Sequence, residues 1–493
     1  MDAFEPRLSV PAAEFAPLTL PAWAEACGEA LAAGARMLTL FGRADGGDRV
    51  LTTAVLQVGA GPLHLLRGLG HCGESFPSLT PAHPAVQMFE RELWEQTGLV
   101  PSAHPWLKPV RFEGPRQQQM DTYPFFAVRG QQVHEVGVGP IHASVIEPGH
   151  FRFMCHGEQV HHLEIQLGYQ HRGVEAMLLR RPPLALSSLV ESIAGDSSIA
   201  YAWAYCAAVE ALAGVTVSPA ADTVRGVALE LERVAMHLVG LTGLATDIAF
   251  LQGGATYGRL RTAIINATMR VCGSRFGRGW LRPGGVRFGL NLALRQDLLG
   301  TLEAFAKHLA EVNGLMLGAR SVRTRFEGIG SVSQQAAQDI GMQGLPARAC
   351  GVALDLRCSL PGRLYTQHPV AMQLEHAGDC WARLKLRMAE IDESLRWLRR
   401  VLHSPELDLA DAGLAPLGPL APNQLCVSMR EGFRGPVLHA LETGPDGRLL
   451  HYKVQDPSLL NWFGLGLALR NNEISDFPLC NKSFDLSYCG NDL

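Results

Sequence analysis

The sequence predicts an α+β protein, in which a small N-terminal α+β domain is followed by a mainly helical domain with a small β-hairpin region. Three patterns predict it: short apolar runs separated by turns, a pair of alternating segments after a polar linker, and long apolar series at helical spacing beyond. With 493 residues, 47% of them hydrophobic, the chain is long enough to fill the cores of two or three domains.

Residues 1–112 make up the first predicted domain. Its apolar runs at 36–41, 50–58 and 62–66 alternate with turns and predict strands. The polar stretch 83–98 predicts a helix that closes this domain.

A linker and a hairpin are predicted next. Residues 113–135 are rich in Gln, Pro and Gly and predict a linker, so that the second domain spans 136–493. Residues 151–155 and 159–167 alternate around Gly157, which predicts a β-hairpin. The alternation places Leu163, Ile165 and Leu167 on one face of its second strand and His162, Glu164 and Gln166 on the other.

Two long helices are predicted in the second domain. Asp222 is a candidate N-cap for the first, whose apolar positions recur three and four residues apart. Residues 380–402 repeat the same spacing and predict a second core helix.

Charge and composition exclude several classes of protein. The net charge is −4 and the basic residues are dispersed, so neither nucleic acid nor lipid headgroups are expected partners. The first ten residues lack a basic start before an apolar core, which predicts a cytoplasmic protein. Proline and glycine interrupt the longest uncharged runs, so no membrane-spanning helix is expected.

Several sequence blocks occur in a characteristic order. Gly139 to His142, Glu147 to Phe153 and Leu167 to Glu175 resemble the large subunit of group 4 [NiFe] hydrogenases and the 49-kDa quinone-site subunit of respiratory complex I. Residues 325–357 resemble another block common to both. The segment 89–107 resembles the signature of the 30-kDa complex I subunit, which implies that such a module is fused ahead of the large subunit.

The resemblance implies a metal site whose ligands are missing here. Hydrogenase large subunits hold nickel and iron between two C-x-x-C pairs, because soft, bridging thiolates stabilise these metals. None of the 11 cysteines is separated from another by just two residues. The former ligand positions fall on Ala194, Ser197, Ser487 and Gly490, so no [NiFe] centre is expected, and apart from a possible quinone no cofactor is assigned to this chain.

Two cysteines lie close to a former ligand position. Cys489 is one residue out of register, and Cys480 is a weaker metal candidate still. The remaining cysteines are expected to be reduced, buried thiols.

Polar residues of the turns that carry the resemblance are the remaining site candidates. Glu147 resembles the glutamate that passes protons at the hydrogenase centre, and His142 and His150 resemble the loop that lines the quinone headgroup site. A histidine could donate to a quinone carbonyl or deliver a proton, since its pKa lies near working pH. Both histidines could equally make simple hydrogen bonds within the loop.

Arg434 resembles the arginine above the metals in hydrogenases. Without metals it is expected to bind a quinone, another anion, or simply Asp196 or Asp485.

Asp247, at the end of the first long helix, is the last candidate. The segment 180–193 contains no tyrosine, whereas complex I places its quinone-binding tyrosine there, so a quinone is only a possible ligand.

Seven of the 18 histidines lie between residues 134 and 171. Their spacing matches no common ligand pattern, so a polar hairpin surface or a subunit contact is favoured over a metal site.

The resemblance implies a subunit of a membrane-associated oxidoreductase complex that couples redox or proton chemistry to ion translocation. Expected partners are a small subunit with a [4Fe-4S] cluster and antiporter-like membrane subunits, which would hold the chain on the inner face of the cell membrane. Two alternatives stay open: a true [NiFe] hydrogenase or formate hydrogenlyase large subunit, and a non-catalytic scaffold.

Overall fold

The N-terminal part of the chain folds around a four-stranded sheet in the computed structural model, which describes residues 7–59, 61–113, 120–130, 132–143, 146–404, 408–410 and 412–493. The sheet order is β2-β5-β4-β3, with β2 paired parallel to β5 and the other strands antiparallel. The elements are β2 (Leu18–Thr19), α1 (Leu20–Ala32), β3 (Ala35–Ala44), β4 (Arg49–Val58), β5 (Leu63–His71), β6 (Ser75–Pro77), α2 (Gln87–Thr97) and β7 (Val100–Ser102).

The first strand of the chain lies in a different sheet. Strand β1 (Arg7–Pro11) pairs antiparallel with β13 (Gln424–Glu431), which continues to β14 (Pro436–Thr443) and β15 (Leu449–Gln455). The N-terminal segment is thus built into the C-terminal sheet.

The predicted hairpin is confirmed. Strands β8 (Val133–Val138), β9 (His150–His156) and β10 (Gln159–Gln166) form a three-stranded antiparallel sheet. The polar face of β10 lies inside the protein, because Glu164 and Gln166 are both buried. Glu164 pairs with Lys108 at 2.5 Å and accepts the Phe126 N–H at 2.6 Å, while Gln166 donates to the carbonyl of Met120 at 3.0 Å.

Helices dominate the rest, as predicted. They are α3 (Val174–Leu179), α4 (Ser187–Val190), α5 (Ser198–Leu212), α6 (Pro219–Asp247), α7 (Leu251–Cys272), α8 (Leu292–Gly318), α9 (Arg320–Phe326), α10 (Gln334–Asp339), α11 (Gly344–Ala349), α12 (Leu356–Ser359), α13 (Gly362–Gln367), α14 (Cys380–His403), α15 (Ser458–Ala468), α16 (Phe477–Phe484) and α17 (Tyr488–Asp492), with β11 (Leu281–Arg282) and β12 (Gly285–Val286) between α7 and α8.

Both long predicted helices are confirmed, but one cap was misplaced. The N-cap of α6 is Ser218, whose hydroxyl accepts the Ala221 N–H at 3.1 Å, and Pro219 fixes the first helical φ. Asp222 lies in the first turn instead and pairs with Arg363 at 2.5 Å. Helix α14 begins at Cys380 as predicted, with Asp379 as its N-cap.

Helix α6 forms the axis of the helical region and packs against α7, α14 and α16. Helix α5 is buried on nearly every face, because α6 and the sheet of β1, β13 and β14 surround it. No helix within the described ranges combines the length and the apolar run that crossing a bilayer requires. Nothing in the fold tests the predicted domain boundaries, which stay predictions.

Candidate functional site

The four former ligand positions converge in the interior. Ala194 and Ser197 lie in the turn between α4 and α5, and Ser487 and Gly490 lie at the start of α17; all four are buried. The two segments are neighbours, because Arg172 Nη2 donates to the carbonyl of Ile193 at 2.7 Å and to that of Cys489 at 3.0 Å.

These positions do not fit a nickel–iron centre. None of the four supplies a thiolate, and a side chain at Gly490 has no room: a Cβ there would lie 2.3 Å from Asp456 Oδ2. The Asp456 carboxylate is fixed in this place, since it accepts the Tyr201 hydroxyl at 2.5 Å and the Ser458 N–H at 2.7 Å. A carboxylate network therefore occupies the space beside one of the expected ligands.

Arg434 is the centre of a second polar cluster. Its guanidinium donates to both carboxylate oxygens of Asp196, at 2.8 and 2.7 Å, and its Nε donates to the carbonyl of Asp485. Such bidentate pairs fix the plane of both groups. The Arg434 side chain is 9% exposed and that of Asp196 is 38% exposed, so the cluster opens to solvent on the Asp196 side.

The two aspartates of this cluster differ in proton affinity. Burial opposes ionisation of Asp196, but Arg434 outweighs it and holds the pKa of Asp196 below its usual value. For Asp485 burial prevails over Arg387 and Arg434, so its pKa is raised. Unequal neighbouring carboxylates of this kind are suited to passing a proton.

Glu147 lies at the edge of the same cluster. Its Oε2 accepts the Cys489 N–H at 3.2 Å, and the residue is exposed. Partial burial raises the pKa of Glu147, and the negative charge of Asp196 adds to this. Glu147 thus combines access to solvent with an elevated proton affinity.

The two candidate histidines bond within their own loop. His142 Nε2 donates to the carbonyl of Gly149 at 2.7 Å, and His150 Nδ1 donates to that of Gly139 at 3.2 Å. The residues that resemble the quinone loop therefore fix the turn between β8 and β9.

Asp247 stands apart from these residues. Its carboxylate pairs with Lys482 of α16, and among the described contacts no hydrogen bond or ion pair joins it to Arg434 or Glu147. It ties the end of α6 to α16.

Sequence reasoning missed four residues of the site. Tyr201 and Asp456 form the network described above, and Arg387 contacts Asp485 at 3.4 Å. Glu232 accepts the N–H groups of Ile199 and Ala200, at 2.7 and 3.2 Å. Burial, with a contribution from Asp196, raises the pKa of Glu232 to about 8. Nothing in the local sequence distinguishes Glu232 from the other charged residues of α6, such as Glu230 and Arg233.

A buried charge network extends inward from Arg387. Its Nη1 lies 3.3 Å from His237 Nδ1, and His237 Nε2 lies 2.8 Å from Glu390. Glu390 also binds Arg348, which bonds to Glu431 at 2.8 Å. The network continues through Asp355, Arg357, Glu230, Arg233 and Tyr365.

Two thiols meet elsewhere in the helical region. Cys380 of α14 and Cys480 of α16 place their sulfurs 3.8 Å apart, and Arg383 Nη2 lies 3.3 Å from the Cys380 sulfur. Two donors beside a guanidinium do not make the four-thiolate set of a nickel–iron centre. Across the residues that the structure describes, no group of three or more His, Cys, Asp or Glu side chains could hold a metal ion.

Comparison of the sequence with those of known proteins finds a matching family model and several relatives. The model of the family described as "Respiratory-chain NADH dehydrogenase, 49 Kd subunit" matches residues 247–411. Formate hydrogenlyase subunit 5 of Escherichia coli K12 is 29% identical over 448 residues, covering 84% of this chain and 76% of that protein. The carbon monoxide-induced hydrogenase of Rhodospirillum rubrum is 30% identical over 355 residues, 71% of this chain and 97% of that protein.

A third relative comes from the respiratory branch. It is a subunit of the NADH-quinone oxidoreductase of Campylobacter jejuni strain 81116, and it is 31% identical over 270 residues, 54% of this chain and 65% of that protein. The chain belongs to the family of group 4 hydrogenase large subunits and complex I 49-kDa subunits. Within that family it is a component of an oxidoreductase complex.

Proposed function

We propose that this chain is a cytoplasmic-arm subunit, peripheral on the inner face of the cell membrane, in which a polar, proton-exchanging site replaces the nickel–iron centre of related hydrogenases. The observation that carries the proposal is the carboxylate beside Gly490: Asp456 fills the space that a ligand side chain would need. Arg434, Asp196 and Asp485 add fixed charges beside the turn before α5 that holds the former ligand positions Ala194 and Ser197.

The partners in this proposal are a small subunit with a [4Fe-4S] cluster and antiporter-like membrane subunits. Two relatives are named as subunits of formate hydrogenlyase and NADH-quinone oxidoreductase, which supports a multisubunit assembly. The acids Glu147 and Asp196 face outward, so a partner seated on this face would cover them and strengthen their electrostatic coupling.

The chain's contribution is proton uptake and release. A partner's [4Fe-4S] cluster would supply electron transfer, and negative charge beside this face would favour protonation of the Glu147 carboxylate by raising its pKa further. Arg434 stays ionised and holds Asp196 and Asp485 in place through this cycle. The resulting change in charge would drive the ion-translocating subunits.

A scaffold role is the second candidate, and one observation favours it. Arg434 is already neutralised by Asp196, and both loop histidines bond to backbone carbonyls, so these groups need no ligand.

Metal analysis of the intact complex tests the replacement. We expect iron from the partner subunit and no stoichiometric nickel, since none of the four former ligand positions carries a cysteine. Nickel at one equivalent per chain would overturn the proposal and favour a true hydrogenase.

Glu147→Gln distinguishes the proton-exchanging subunit from the scaffold. This variant keeps an oxygen to accept the Cys489 N–H but cannot take up a proton, so redox-driven ion transport by the assembled complex should fall at least about tenfold. Glu74→Gln is the matched control, because Glu74 also accepts a backbone N–H, from His71 at 2.8 Å, far from the site. Equal transport by both variants in a fully assembled complex would favour the scaffold.

A further inference from the structure

Cys380 and Cys480 are a pair of buried thiols that the proposed function does not use. They lie 100 positions apart in the chain, yet their sulfurs are 3.8 Å apart, and neither residue is exposed. A disulfide requires about 2.05 Å between the sulfurs, so closure needs a combined approach of about 1.8 Å. We expect side-chain rotation and a small shift of α16 toward α14 to supply this displacement.

The surroundings of Cys380 favour its thiolate. It is the first residue of the 24-residue helix α14, where the helix dipole stabilises an anion. Arg383 Nη2 lies 3.3 Å from its sulfur and places a positive charge beside it. Burial opposes ionisation, but the Cys480 thiol and Arg383 together lower the pKa of Cys380 to about 6.

Cys480 is the complementary member of the pair. Its neighbour Cys380 and its burial raise the pKa of Cys480, so of the two thiols in contact Cys480 holds its proton more firmly. One ionised and one neutral thiol in contact is the arrangement of an attacking and a resolving cysteine.

We propose that Cys380 and Cys480 form a redox-active dithiol, which a small peroxide oxidises to a disulfide that cross-links α14 to α16. The Cys380 thiolate attacks one peroxide oxygen; an S–O bond forms, the O–O bond breaks, and hydroxide leaves. The hydroxide takes the proton of Cys480, and the new thiolate attacks the sulfenic sulfur of Cys380. An S–S bond forms and hydroxide leaves, so the dithiol loses two electrons and the peroxide is reduced to water and hydroxide.

Hydrogen bonds connect the dithiol to the candidate site, so oxidation of the two thiols would change the site. Ser483 accepts Arg383 Nε at 2.8 Å, and its carbonyl accepts Arg387 Nη2 at 2.8 Å. Arg387 in turn contacts Asp485. The disulfide removes the thiolate that partners Arg383. It also moves the end of α16, where Asp485 contacts Arg434. The dithiol is independent of the proposed function, since it requires neither a metal nor a substrate.

Peptide mapping of the intact protein tests the proposal. The protein is treated with hydrogen peroxide, free thiols are blocked by alkylation, and the digest is analysed without reduction. We expect one cross-linked peptide pair, containing Cys380 and Cys480, that disappears on treatment with dithiothreitol. Cys350→Ser is the matched control: it removes another buried thiol, whose pKa burial raises to about 11, and should leave the cross-link unchanged.

Cys480→Ser removes the resolving thiol. Sulfenic acid should then accumulate on Cys380, where dimedone traps it. If peroxide that oxidises the exposed Cys72 leaves Cys380 and Cys480 as free thiols in the wild-type protein, the proposal is wrong. The wild-type result decides this even if Cys480→Ser fails to fold.

Discussion

Gly490 shows how one missing side chain defines the candidate site. Alanine at this position would place its Cβ 2.3 Å from Asp456 Oδ2, and the carboxylate cannot retreat without losing Tyr201 or Ser458. We expect Gly490→Ala to lower the free energy of unfolding by about 1–3 kcal/mol, the usual cost of overpacking. Denaturant unfolding measures this change.

Gly300→Ala is the control for Gly490→Ala. Gly300 lies inside α8, and a Cβ there would meet no atom within 4 Å. Because alanine is the better helix former, this variant should be stabilised by up to about 1 kcal/mol. Equal effects at the two positions would contradict the crowding at Gly490.

Glu232 gives the site a signature in the pH dependence of stability. The pKa is about 8 in the folded protein and about 4.3 when unfolded, so between these values only the folded chain holds the proton. The free energy of unfolding therefore falls as pH rises through this window, by at most about 1.4 kcal/mol per pH unit. Glu232→Gln has no carboxylate to titrate, so its free energy of unfolding should not fall in this way. In urea titrations, the difference in unfolding free energy between the variant and the wild type should grow in favour of the variant between pH 5 and pH 8.

Glu327→Gln should show the opposite trend. Arg323 holds the pKa of this exposed acid below its usual value, so the wild-type pair contributes stability above that range and loses it as pH falls. The variant lacks this contribution and gains relative to wild type only toward low pH. Parallel pH profiles for wild type and Glu232→Gln would show that the Glu232 pKa is not raised.

At the scale of elements, local patterns were the reliable part of the sequence. Helix α14 begins at the predicted Cys380 and ends at His403, because its apolar spacing and its cap are local properties. The hairpin also follows from alternation and a glycine turn. The burial of Glu164 was not predictable, since its cover is Lys108, a residue distant in sequence.

The site was predictable only in part, for the same reason. The sequence named both possible carboxylate partners of Arg434, and the structure brings Asp196 and Asp485 to it. The loss of ligands at Ser487 and Gly490 could be read from a resemblance. Asp456 occupies the space beside Gly490 because α17 packs on the end of β15. No local sequence pattern encodes this contact.

Buried ion pairs join helices α6, α11 and α14, and removing one partner of such a pair leaves an uncompensated buried charge. Arg348 is fully buried and bonds to Glu390 and Glu431. Arg348→Met leaves both carboxylates without this partner and should cost about 3–5 kcal/mol in thermal or denaturant unfolding. The exposed pair of Arg323 with Glu327 provides the control: Arg323→Met should leave the unfolding transition as in the wild type, because solvent screens this pair. A small cost for Arg348→Met would mean that water or rearrangement satisfies the network.

At the scale of the whole molecule, the N-terminal sheet and the C-terminal sheet share one core. Leu38, Phe41 and Val55 of the first pack with Val427 and Leu438 of the second. Buried ion pairs reinforce this contact: Glu442 of β14 binds Arg67 at 2.7 Å and Arg43 at 2.9 Å. The two sheets therefore depend on each other for stability.

Phe41→Ala tests this dependence. The Phe41 ring stacks on His451 of β15 at 5.0 Å and is 2% exposed, so its removal leaves a cavity between the sheets and should cost about 3–5 kcal/mol. Amide hydrogen exchange should then quicken in β3–β5 and in β13–β15 together, because each sheet loses its cover. Phe288→Ala, at a ring that is 37% exposed, should change stability by about 0.5 kcal/mol or less and leave both sheets protected. Faster exchange confined to β3–β5 would instead show that the N-terminal sheet opens on its own, as a separate domain would.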